Sequence, residues 1–126
     1  MDKRSVKIKN KKQQMNSLNR ISMYLNEDEA LALKENVLYI ERLRNISDIM
    51  KLQVLKEYNH EELAIALKLS TLNLIDFLSK NLSSSLKIKL FKKINEPHGI
   101  AEIINNVNKF KIYLKDKEAK GEISLS

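Results

Sequence analysis

Residues 59–78 read Asn-His-Glu-Glu-Leu-Ala-Ile-Ala-Leu-Lys-Leu-Ser-Thr-Leu-Asn-Leu-Ile-Asp-Phe-Leu. Asn59 is a residue type that accepts the first N–H groups of a helix, and Glu62 three residues later completes a capping-box-like start. The helix it opens runs out near Lys68, because Ser70 or Thr71 caps the next one, whose apolar set is Leu74, Ile75, Phe77 and Leu78. Starts this close together leave only two to three turns per helix. None of these helices can bury its apolar stripe alone, so each must stack on others.

The same punctuation extends in both directions. Asn26 stands before Glu27, Asp28 and Glu29, acids that oppose the positive end of a helix dipole, and predicts a helix from Glu27 to about Arg44. Ser47 with Asp48 opens a short helix through Tyr58. Downstream, Ser83 or Ser84 starts a lysine-rich helix over about Ser84 to Asn95, with Leu86, Leu90 and Ile94 as its buried stripe and Ile88 and Phe91 on the flanks. Asn95-Glu96-Pro97-His98-Gly99 reads as a loop, since Pro97 disfavours α geometry at Glu96 and Gly99 tolerates positive φ. A last helix from Ile100 to about Ala119, apolar at Ile103, Ile104, Val107, Phe110, Ile112 and Leu114, ends at Gly121. The chain is therefore expected to be all-α, a right-handed array of short helices or a compact orthogonal bundle.

Composition agrees. The 126 residues are 43% apolar and 31% charged, with two Gly, one Pro and no Cys, which argues against disulfide scaffolds, thiol chemistry, zinc ribbons and most β-sandwiches. No apolar run is long enough for a membrane span, and the basic start has no apolar stretch behind it that would make a secretory signal, so cytoplasm is the default.

The formal net charge of +7 is unevenly placed. Residues 1–20 hold seven basic side chains against Asp2 alone, whereas the remainder is nearly neutral. Residues 1–16 are expected to form a flexible basic arm, either a solvated leader or, through residues 1–14, a contact for anionic lipid, nucleic acid or an acidic partner. A second asymmetry lies from Lys80 to Lys93, where Lys80, Lys87, Lys89, Lys92 and Lys93 occur with no acid. Lys89, Lys92 and Lys93 fall mostly away from the apolar stripe and are expected to form an exposed basic ridge, either merely solvated or a docking face for an acidic surface.

Signatures of catalysis are absent. His60 and His98 are the only histidines, both read as solvent-exposed, and Ala64 stands where a zinc-protease helix beginning His60-Glu61-Glu62 would need its second histidine. There is no glycine-rich phosphate loop, no nucleophile elbow and no cysteine nucleophile, so no catalytic, cofactor or metal residue is assigned. The Ser70 to Ile94 region could mimic a helix-turn-helix with lysines for phosphate contacts. Residues for base reading are scarce there, which makes a nucleic-acid-binding or adaptor role the alternative reading.

Several segments carry a family likeness. Glu35-Asn36-Val37-Leu38-Tyr39-Ile40-Glu41 followed by Ile46-Ser47-Asp48 resembles the helix and hinge of flagellar rotor switch proteins of the FliG family, where Glu-Gln-Met-Phe-x-Phe-Glu precedes an acidic loop. Val54-Leu55-Lys56-Glu57 and Glu62-Leu63-Ala64-Ile65-Ala66-Leu67-Lys68 are similar to its Val-Leu-Arg-Glu and Asp-Leu-Ala-Leu-Ala-Leu-Lys. Phe77 to Ser83 resembles its Phe-Leu-x-Asn-Met-Ser with one residue inserted, and Gly121-Glu122-Ile123 resembles its ending.

The resemblance spans about residues 17–126 and implies the family's C-terminal architecture. That is a right-handed array of short armadillo-like helices followed by a compact helical bundle, with residues 17–46 connecting, 47–69 armadillo-like and 70–126 the bundle. It further implies a cytoplasmic, peripheral place on the inner membrane at the flagellar basal body, self-association in a ring, contacts with other switch proteins and the stator's cytoplasmic loop, and no cofactor. By resemblance, Val37, Leu38, Tyr39 and Ile40 form a hinge-like apolar segment, and Lys68, Ser85, Lys89, Lys92 and Lys93 mark the partner-facing charged ridge, through which the family transmits torque from the stator. That ridge departs from the family's pattern: Leu69 replaces a glycine, Ser85 an arginine, Lys92 and Lys93 an acidic pair, and the arginine after the loop proline falls near Gly99.

Overall fold

The computed structural model describes residues 17–125, so the expected basic arm over residues 1–16 lies outside the described residues. Residues 17–22 are helical (α1). Then follow α2 (Glu27–Glu41), a 3-10 turn (Arg42–Asn45), α3 (Asp48–Glu57), α4 (His60–Ala66), α5 (Leu72–Ser79), α6 (Ser84–Asn95) and α7 (Ile100–Ala119). Among the described residues there is no strand, and the architecture is all-α and armadillo-like.

Helix starts sit where the caps predict them. Asn26 forms a full capping box with Glu29, and Ser47, Asn59, Thr71 and Ser83 each accept from a backbone N–H of the first turn. The α-helical part of α2 stops at Glu41, short of Arg44, because the Arg42 N–H turns to the Tyr39 carbonyl and the chain tightens into the 3-10 turn. Gly99 has φ −67° and so does not use its left-handed freedom. Gly121 does, at φ +73°: its N–H reaches the Glu118 carbonyl and the Glu122 N–H reaches that of Lys117, a Schellman stop for α7.

One apolar core runs from Ile21 to Leu125. The long α7 packs against both α2 and α4, and α4 packs against α6. Val107, Phe110 and Leu114 of α7 are fully buried, as are Ile40, Leu67, Leu74 and Leu78 from the shorter helices. Burial of each such side chain stabilises by about 1.5–3 kcal/mol, the term that short helices cannot supply alone. Leu86, expected in the buried stripe of α6, is 38% exposed, and the flanking Ile88 is 68% exposed. Burial on α6 is confined to Leu90 and Ile94, and Leu86 instead lies at a groove beside the first turn of α4.

Polar ties fasten the helices to one another. The buried Glu41 at the end of α2 accepts from the Thr71 hydroxyl at 2.5 Å and the Thr71 N–H at 3.2 Å, joining α2 to the start of α5. Lys51 of α3 is buried with its ammonium donating to the Phe77 carbonyl at 3.1 Å, over the Phe77 ring and 3.4 Å from Asp48. Lys117 of α7 lies 2.8 Å from Glu57 and 2.6 Å from Glu122, and the Tyr113 hydroxyl donates to Glu57. Asn106, an unfavourable residue inside α7, donates to the Glu102 carbonyl of its own helix.

Candidate functional site

Ser83 starts α6 by accepting the Leu86 N–H. From that start, Ser85, Lys89 and Lys92 are spaced i, i+4, i+7 and share one outward face, all three exposed. Lys93 lies a step round the helix, partly covered, and its ammonium stands 3.4 Å from the Glu96 carboxylate. Lys80 and Lys87 are also exposed. Among the described residues Lys87, Lys89 and Lys92 form no ion pair, so α6 presents uncompensated positive charge to solvent.

Beside this face lies a groove of about 270 Å³, lined by His60 and Glu61 from the first turn of α4, by Leu86, Lys89, Leu90, Lys92 and Lys93 of α6, and by Glu96. Leu86 and Leu90 make its apolar side. His60 is held in place by donating its Nε2–H to the Leu55 carbonyl at 2.7 Å.

Lys68 is not part of the exposed face. Its ammonium donates to the Ile94 carbonyl at 2.6 Å and to the Glu96 carbonyl, where the unsatisfied carbonyls at the end of α6 concentrate negative partial charge. Burial pushes its pKa down, with nearby Glu96 opposing that shift. Lys68 therefore caps α6 from the connection between α4 and α5. It also lines a wider cavity of about 550 Å³ with Arg20, Leu72, His98 and Ile100.

The apolar segment Val37, Leu38, Tyr39 and Ile40 lies within uninterrupted α2. Val37 and Ile40 are buried in the core, Leu38 is exposed and Tyr39 is half-buried. The Tyr39 hydroxyl donates to Glu118 of α7 at 2.8 Å; burial first, and then Glu118, push its pKa up to about 12. The change in backbone geometry comes after this segment, at Arg42–Asn45.

Both histidines are half-buried, not exposed: His60 is bonded as above, and the Nδ1 of His98 is buried without a partner. Among the described residues no group of three His, Cys, Asp or Glu could hold a metal ion, and no helix is long and apolar enough to cross a membrane. Sequence reasoning passed over Glu41, Lys51 and the Glu57–Lys117–Glu122 network, whose partners are distant in the chain. Only the odd placement of Lys51 on the core side of α3 could have signalled one of them.

A family model described as FliG C-terminal domain matches residues 23–125. No curated protein and no solved structure matches the chain.

Proposed function

The chain belongs to the FliG C-terminal domain family, and from that premise we propose that it is a non-enzymatic part of the flagellar rotor that acts through protein contacts made by α6. Members of this family are structural components of the motor switch. The observation that carries the reading is the set of lysines on α6, Lys87, Lys89 and Lys92, which no acid of the described residues neutralises. Solvated surface lysines add little to stability, so a face of one sign is better suited to choosing a partner than to holding the fold.

The rotor place proposed is a ring at the cytoplasmic face of the inner membrane, among copies of the chain and other switch proteins, with residues 1–14 against anionic lipid. Torque through a ridge of alternating sign is not the role supported by this chain. By the resemblance, Lys92 and Lys93 fall at acidic positions of the family's ridge and Ser85 at a basic one, so a stator loop matched to alternating charge would meet repulsion.

Quantitative mass spectrometry of purified basal bodies, with and without a high-salt wash, tests the proposal. The chain is expected at a fixed ratio to other rotor proteins. Its absence, with recovery in soluble or nucleic-acid fractions, refutes the reading. The Lys92→Glu, Lys93→Glu double variant should change motility or ring association with helicity intact; lost helicity instead would make the lysines structural.

A further inference from the structure

We infer that the groove between the first turn of α4 and α6 receives an acidic amphipathic helix from a partner protein, one apolar side chain entering the groove between carboxylates placed one helical turn apart. The inference rests on the reading of α6 as the partner-facing surface and adds the chemistry that the surface selects. Lys89 and Lys92 are one turn apart on the rim and unpaired, so carboxylates at helical i, i+3 or i+4 spacing on the partner can meet both. Leu86, still 38% exposed at the groove, offers apolar surface whose removal from water by a partner's apolar side chain favours binding.

The opposite wall fixes the partner's orientation. Glu61 is exposed there, so a carboxylate facing α4 would be repelled, while at the end of α6 Glu96 is already engaged by Lys93. The partner helix therefore carries its acids on the α6 side of its anchor and a neutral or basic residue on the α4 side. Nucleic acid fits this groove less well: a phosphate backbone is acidic along its whole length and cannot spare Glu61 as a helix with a neutral or basic α4-facing residue can, the lining contains no arginine, and Leu86 contributes nothing to a phosphate. An anionic membrane surface likewise meets Glu61 and gives Leu86 no matched acid spacing.

The test is a titration of the isotopically labelled chain, followed by amide chemical shifts. The probes are a short helical peptide with Leu between two Glu that are one turn apart, the same peptide with Lys for Glu, a DNA duplex, and phosphatidylglycerol vesicles. Saturable shifts from the Glu peptide should be confined to the first turn of α4 and to α6. The Lys89→Glu, Lys92→Glu double variant should bind it about tenfold more weakly, as expected for two surface charge pairs reversed. Leu86→Ser should also weaken binding, whereas Glu61→Gln should strengthen it; all these side chains are exposed, and unchanged helicity certifies the fold.

Shifts centred elsewhere, equal binding of the Lys peptide, or displacement of the Glu peptide by DNA or vesicles would overturn the inference. The rotor reading fails separately. A chain that binds the peptide yet is missing from basal bodies keeps the groove and loses the rotor, and a chain fixed in basal bodies that ignores the peptide does the reverse.

Discussion

Replacing Thr71 by Val removes one hydroxyl and almost nothing else, yet it breaks a joint between two parts of the chain. The Thr71 hydroxyl donates to Glu41 at 2.5 Å while accepting the Leu74 N–H at 3.3 Å, so it is at once the cap of α5 and a partner of a carboxylate that is only 8% exposed. Loss of an N-cap costs about 1 kcal/mol. Loss of a hydrogen bond to a charged group costs about 1.5–3 kcal/mol, and the Glu41 carboxylate keeps only the Thr71 N–H, at 3.2 Å, in its place. Thr71→Val should therefore lose about 3 kcal/mol in urea unfolding followed by far-UV circular dichroism, which lowers Tm by roughly 15 °C in a domain of this size. Thr71→Ser, which keeps the hydroxyl, should stay within about 1 kcal/mol of the parent. In a double-mutant cycle with Glu41→Gln, the coupling should be about 1 kcal/mol or more. A Thr71→Val loss under about 0.5 kcal/mol, or strict additivity with Glu41→Gln, refutes the joint.

Two further outcomes follow from the polar ties. Lys51→Met keeps the aliphatic stem and loses the bond to the Phe77 carbonyl, so denaturation should register a loss of about 1–2 kcal/mol; Lys51→Ala, which also empties packed volume, should lose about 2 kcal/mol more. The Glu57 carboxyl is held down to about 2, chiefly by its hydrogen bond with Lys117 and then by those with Tyr113 and Gln53. A folded pKa below the unfolded one gives stability that is present above pH 4.5 and drains away as the pH falls toward 2. Lys117→Met should flatten that part of a Tm-against-pH curve, and so should salt, because Glu57 is exposed. An unchanged slope in the variant would remove Glu57 from the account.

Helix starts were legible because a cap is a local device. Asn26, Ser47, Asn59, Thr71 and Ser83 each bond an N–H two or three residues ahead, so the residues that decide the matter are neighbours in the chain. What escaped depends on distance. Lys68 looks like any lysine closing a helix, and its acceptors, Ile94 and Glu96, come into view only once α6 returns alongside. Glu41 and Thr71 are 30 residues apart, and nothing in either neighbourhood announces the other. Periodicity placed Leu86 on the apolar side of α6 but could not tell that a groove opens there beside the first turn of α4. The lysine face was readable as charge; the groove beside it was not, since a groove belongs to two helices at once.

The bonds from Lys68 to the end of α6 also bear on how that helix would respond to a force applied to it. Apolar contacts such as those of Leu90 and Ile94 are non-directional in themselves and hold a helix by the interlocking of packed side chains. Bonds from one ammonium to the Ile94 and Glu96 carbonyls lose strength with a small change of length or angle. A push on the outer lysines that is directed along α6 is therefore resisted at its last turn and passed into the α4–α5 connection. A push across the helix bears instead on the packed side chains, so the two directions differ in stiffness.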